Sequence, residues 1–128
     1  MRKIFISGLM LIFVLTLSGF AAEVGKTKIA VVSNGKTVTS EVSPVAARGP
    51  YFLIYDCNGK FIEVLGNPHK NVQGGASSQV VEYLSDKNVS TIIAGTFGNK
   101  MIAAMEAKRI RYLTFKGIAA EAVKKVVP

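Results

Sequence analysis

The spacing of apolar and polar positions divides the chain into short alternating elements. Thr27–Ser33, TKIAVVS, is a β-branched apolar run and predicts a buried strand. Asn34-Gly35 is a tight-turn signal, and the weak alternation of Lys36–Val42 predicts a short edge strand. Ser43–Pro50 is a loop, marked by Pro44, Gly49 and Pro50. Tyr51–Asp56 and Phe61–Leu65 flank a Cys57-Asn58-Gly59-Lys60 turn and read as a hairpin. Beyond them the period becomes helical. Val80, Val81 and Leu84 share one face of Ser77–Asp86; Met101, Ile102 and Met105 share one face of Lys100–Lys108; Ala119, Ala122, Val123 and Val126 share one face of Ile118–Val126. Ser90–Ala94 and Arg111–Phe115 are strand-like runs between these helices.

This order is strand, hairpin, then helix–strand–helix–strand–helix, which predicts an α/β domain with helices packed on a largely parallel sheet. Right-handed crossovers make Thr27–Ser33, Phe61–Leu65, Ser90–Ala94 and Arg111–Phe115 run one way, with Tyr51–Asp56 opposed. Four connections then meet at the carboxyl end of the parallel strands: 34–50, 67–76, 95–99 and 116–117. Sheets of this class bind ligands at that end.

The most informative of these connections is Asn67–Ser78, NPHKNVQGGASS. It holds the chain's single histidine, His69, and a Gly74-Gly75-Ala76 turn that feeds Ser77 and Ser78, both favourable N-cap residues. A glycine-rich turn opening a helix presents backbone N–H groups to an anion; alternatively, the glycines only permit a tight strand-to-helix turn. The predicted strand directions make this turn one wall of a shared mouth, with Gly95–Asn99 and Arg48 on the others. Cys57 falls in the hairpin turn at the opposite end, roughly 20 Å from His69 at about 3.3 Å per strand residue, so the two are not expected to share a metal.

The N-terminus changes the picture of domain organisation. Met1-Arg2-Lys3 is basic, Ile4–Leu17 is almost wholly apolar, and Ser18–Ala22 offers small residues for cleavage after Ala21. That layout predicts a secretory signal peptide over 1–21, a single domain over 22–128 and a periplasmic or secreted protein. The alternative is an uncleaved N-terminal membrane anchor, although the apolar run is short for a span. The one cysteine allows no internal disulfide, and no Cys/His spacing suggests zinc.

A net charge of +8 raises the question of nucleic acid. The basic residues are scattered, apart from Lys108-Arg109 and Lys124-Lys125 at predicted helix ends, where cations suit the dipole. No aromatic–basic stripe accompanies them, so no nucleic-acid partner is expected. An enzyme is not expected either. Among the eight acidic residues, Glu63, Glu106 and Glu121 do not converge, Asp56 lies beside Cys57, and His69 has no evident carboxylate partner.

Several segments together resemble a known family. They are KIAVVS at Lys28–Ser33, RGPYFLIYD at Arg48–Asp56, Asn67-Pro68, Gly74-Gly75-Ala76, and VSTIIAGTFG at Val89–Gly98. Their order and spacing are similar to the dinitrogenase iron-molybdenum cofactor biosynthesis family (the NifX/NifB-type accessory domain), across residues 27–126. The resemblance implies a three-layer α/β/α ribonuclease-H-like fold with a five-stranded mixed sheet. It also implies a non-catalytic module that binds or carries an iron–sulfur or iron–molybdenum type cluster. On this chain the candidate contacts are Arg48, Asn67, Gly74, Gly75, Gly95, Thr96 and Gly98, with His69 as a candidate metal ligand. A small anion or a protein is the alternative partner, and membrane contact is expected only through the N-terminal segment.

Two positions depart from the family pattern. Where relatives often read His-Phe-Gly-Arg-Ala, this chain has Val45-Ala46-Ala47-Arg48-Gly49 and keeps only the arginine; valine cannot ligate iron. Arg109 stands where glycine is usual after the second long helix, so a left-handed arginine costing about 1 kcal/mol is expected.

Overall fold

β1 (Lys28–Ser33) lies at the middle of a five-stranded sheet whose order is β3-β2-β1-β4-β5, with β2 at Tyr51–Tyr55, β3 at Phe61–Gly66, β4 at Val89–Ala94 and β5 at Arg111–Thr114. The computed structural model describes residues 27–128; the predicted signal segment, 1–21, lies outside them. β2 is antiparallel to β1 and β3, whereas β4 is parallel to β1 and β5. The predicted strand directions are therefore those observed. Helices α1 (Ala76–Asp86), α2 (Asn99–Ala107) and α3 (Ala119–Val123) complete the domain. Among the described residues no helix is long and apolar enough to cross a membrane.

The uninterrupted apolar run of β1 has a direct cause: both faces of the strand are covered. Ala30 and Val32 join Val80, Val81, Leu84, Met101 and Met105 in the core beneath α1 and α2. Ile29 and Val31 join Ala119, Ala122 and Val123 in the core beneath α3. The result is three layers, α/β/α. The two edge strands are the exposed ones: β3 leaves Phe61, Ile62 and Val64 open to solvent, and β5 leaves Tyr112 open.

Three expectations change. Lys36–Val42 forms no edge strand and contributes only isolated bridges, Ser33 to Val42 and Glu41 to Ile118. Its hydroxyls make local turns instead: Ser40 Oγ accepts the Thr37 N–H at 3.2 Å and lies 3.1 Å from Thr37 Oγ1. Such bonds compete with a strand ladder. α3 ends at Val123 rather than Val126, although Val126 still packs on the core. Ser77 and Ser78 do not cap α1. The chain passes directly from two left-handed glycines, Gly74 (φ 77°) and Gly75 (φ 75°), into helix at Ala76, which puts both serines inside the first turn.

α1 and α2 both end in left-handed residues, Asn88 (φ 69°) and Arg109 (φ 60°). The strained arginine expected from the sequence is present.

Candidate functional site

α1 and α2 start at the same end of the sheet, and a cleft of about 480 Å³ opens between their N-termini. Gly74–Ser78 form one wall, Gly98 and Lys100 another, and Val45–Arg48 the third. Gly75 and Gly98 are the N-caps, and neither helix has a side-chain cap or an acidic residue in its first turn. The first N–H groups of a helix have no intrahelical acceptor and carry the positive end of the dipole. Two such ends here face one cavity together with the Arg48 and Lys100 side chains, and no carboxylate lines it. The arrangement is suited to an anion.

Arg48 has two tasks. Its Nη1 donates to the Lys70 carbonyl at 3.0 Å and to the Val72 carbonyl, which ties the loop before α1 to the loop before β2. The rest of the guanidinium has no acceptor among the described residues and is exposed at the cleft. Lys100 likewise has no carboxylate partner among them; the ion pair present joins Lys108 to Glu82 on the outer surface.

The single mouth expected from the sequence is divided in two. Residues 43–46 cross the end of β4 as a ridge, stitched down by Gly95 N–H to the Ser43 carbonyl at 2.8 Å, Ala46 N–H to the Thr96 carbonyl at 3.1 Å, and Thr96 Oγ1 to the Pro44 carbonyl at 2.6 Å. The packing is so close that a Cβ on Gly95 would lie 2.7 Å from Pro44 Cα. Gly95 and Thr96 therefore line a second, smaller cleft of about 310 Å³ with Glu41, Phe115 and Lys116, on the α3 side.

The profile of the family described as dinitrogenase iron-molybdenum cofactor matches residues 27–128. The chain belongs to this family. Solved structures share the fold. The apo form of the orange protein from Desulfovibrio gigas is 22% identical over 77% of this chain and 85% of that one, with a TM-score of 0.73. The NMR structure of a proposed NifB protein from Thermotoga, assigned to the DUF35 family, is 31% identical over 77% of this chain and 84% of that one, with a TM-score of 0.66. No curated protein matches the chain significantly.

Within this family framework the remaining predicted residues separate by role. Asn67 is 6% exposed and wholly engaged: Nδ2 donates to the Ala47 and Gly49 carbonyls at 3.1 and 2.9 Å, and Oδ1 accepts the His69 N–H at 2.9 Å. It fixes the wall that carries Arg48. His69 does not line the cleft; its ring stands edge-on to Tyr83 with centroids 6.1 Å apart. Val45, where the resemblance implied a histidine, is on the cleft wall and 47% exposed. Cys57 is exposed in the hairpin turn, and no group of three or more His, Cys, Asp or Glu residues stands together among the described residues. Lys100 is the cleft residue that sequence reasoning missed. Its signal was available, as a basic residue two positions past the Gly98 turn that opens α2.

Proposed function

We propose that the protein is a non-catalytic carrier for an anionic metallocluster of the iron–molybdenum or iron–sulfur type, held in the cleft between α1 and α2. One observation carries this reading: two uncapped helix N-termini converge with Arg48 and Lys100 in a cleft that no carboxylate lines. The donor set also defines the mode of holding. Iron in such clusters is ligated by thiolate or imidazole, and neither lines the cleft. The cargo therefore keeps its own ligand shell, while Arg48, Lys100 and the N–H groups around Gly74, Gly75 and Gly98 bind its outer acceptors. Gly95, Thr96 and Asn67 support the walls. His69 is a flanking group, reached only by cargo that overhangs the cleft.

The ribonuclease-H-like assignment suits the strand order and the three layers. The carrier reading gives that fold no hydrolytic role. We further infer export through the segment 1–21, which makes this a periplasmic or secreted member, with an uncleaved anchor as the alternative. The N-terminal mass of protein isolated from its host decides: an intact Met1 in the soluble fraction rejects export.

The test of cluster binding is anaerobic titration of the purified protein with isolated iron–molybdenum cofactor, or with iron and sulfide, followed by gel filtration. The expected result is cluster absorption that co-elutes with the protein, is unaffected by His69→Ala, and is reduced at least about tenfold by Arg48→Glu with Lys100→Glu. Absence of co-eluting absorption rejects the carrier role. The exposed Val45 in place of a histidine favours a second reading, a module that binds small oxyanions and has lost its cluster. Under that reading phosphate raises the unfolding temperature and iron chelation changes nothing.

A further inference from the structure

The opposite end of the sheet holds another cavity. It lies on the α3 face beside the β2–β3 turn, has a volume of about 310 Å³, and is walled by Val38, Phe61, Val123 and Val127. That size is at the lower end of small-molecule sites. Lys124 is the ionisable cation on its lining, and no carboxylate lines it. Tyr55, the last residue of β2, also lines it.

Tyr55 is 3% exposed, and its hydroxyl is fully buried with no hydrogen-bond partner among the described residues. Buried phenols ordinarily find an acceptor, because an unmet donor has lost its hydration without replacement. Burial pushes the Tyr55 phenol pKa up from its ordinary value of 10.0, so at neutral pH the group is a donor and not an anion. The ring of Phe61 stands edge-on to Tyr55 at 5.7 Å and is itself 38% exposed on the edge strand. Phe61 thus stands on the solvent side of Tyr55, and a ligand in the cavity meets the hydroxyl once the Phe61 ring turns aside.

The geometry points to a binding site for a small, largely apolar monocarboxylate. One carboxylate oxygen accepts the Tyr55 hydroxyl, Lys124 balances the charge at the rim, and the hydrocarbon lies against Val38, Val123 and Val127. The largely apolar walls disfavour a fully solvated oxyanion such as phosphate, which loses more hydration than the Tyr55 hydroxyl, the Asn58 amide and one cation return. This site is separate from the cleft at the α1 and α2 N-termini and does not depend on what that cleft carries.

Methyl-resolved NMR of the purified protein titrated with hexanoate tests the assignment, with hexan-1-ol as the neutral control. Saturable shifts of the Val38, Val123 and Val127 methyls are expected, with hexan-1-ol weaker by about tenfold. Tyr55→Phe keeps the ring and removes only the donor. It should weaken hexanoate by about tenfold while raising the unfolding temperature of the ligand-free protein. Lys124→Met should weaken hexanoate and leave hexan-1-ol unchanged. Absence of saturable shifts, or equal binding of the acid and the alcohol, overturns the proposal. So does a Tyr55→Phe variant that loses stability yet binds hexanoate normally, which would mean that a buried water alone serves the hydroxyl.

Discussion

Asn67 illustrates how a residue's chemistry is redirected by its surroundings. Its three hydrogen bonds join the turn at His69 to the carbonyls of Ala47 and Gly49. Replacing it by alanine strands two buried carbonyls, so Asn67→Ala should lower stability by about 1–3 kcal/mol in urea unfolding. Arg109 is the converse case. It occupies a left-handed position, φ 60°, with nothing in its side chain that requires arginine there. Arg109→Gly is expected to raise stability by up to about 1 kcal/mol in the same assay, the relief of the left-handed strain exceeding the added unfolded-state freedom of glycine. Both residues were visible in the sequence. The arginine's backbone state was legible through the family resemblance, which implies a glycine at that helix end. The asparagine's role was not, because its acceptors stand about twenty residues away in the chain.

At the scale of elements, the ridge over β4 controls the site. Gly95 permits the approach of residues 43–46, and a β-carbon there would meet backbone, which cannot rotate away as a flexible side chain would. Gly95→Ala should therefore destabilise the domain by about 1–3 kcal/mol. It should also weaken ligand binding in the α1–α2 cleft, although Gly95 does not line that cleft, because the ridge carries Val45 and leads to Arg48. Calorimetric unfolding together with a binding titration separates the two effects. Helix and strand identities were largely readable, since each face has its own apolar period. The Lys36–Val42 segment was misread because local hydroxyl bonds, absent from a hydrophobicity pattern, outcompeted the ladder.

For the whole molecule, the decisive property is where charge is left unpaired. The chain carries a net charge of +8, yet under the proposed carrier role binding in the cleft depends on the local concentration of positive potential from two helix ends, Arg48 and Lys100. Raising ionic strength from about 0.01 to 0.15 M shortens the Debye length from about 30 to 8 Å and should weaken anion binding at this exposed cleft. Charge reversal of Lys124, outside the cleft, should have little effect on that binding. Equal sensitivity of anion affinity to Lys124→Glu and Lys100→Glu would mean that the net charge, rather than the cleft, attracts the ligand.

The sequence by itself determined the alternation of elements, the strand directions and the end of the sheet at which the glycine turns meet, because periodicity and crossover handedness are local or topological properties. It also carried the family, through short segments in a fixed order. Only the tertiary structure decided which of those turns share a cavity. Gly74, Gly75 and Gly98 meet Arg48 and Lys100, while Gly95 and Thr96 are turned into the ridge that divides the mouth. That division depends on a backbone approach between residues about fifty positions apart, and on hydrogen bonds that form only when both loops are in place.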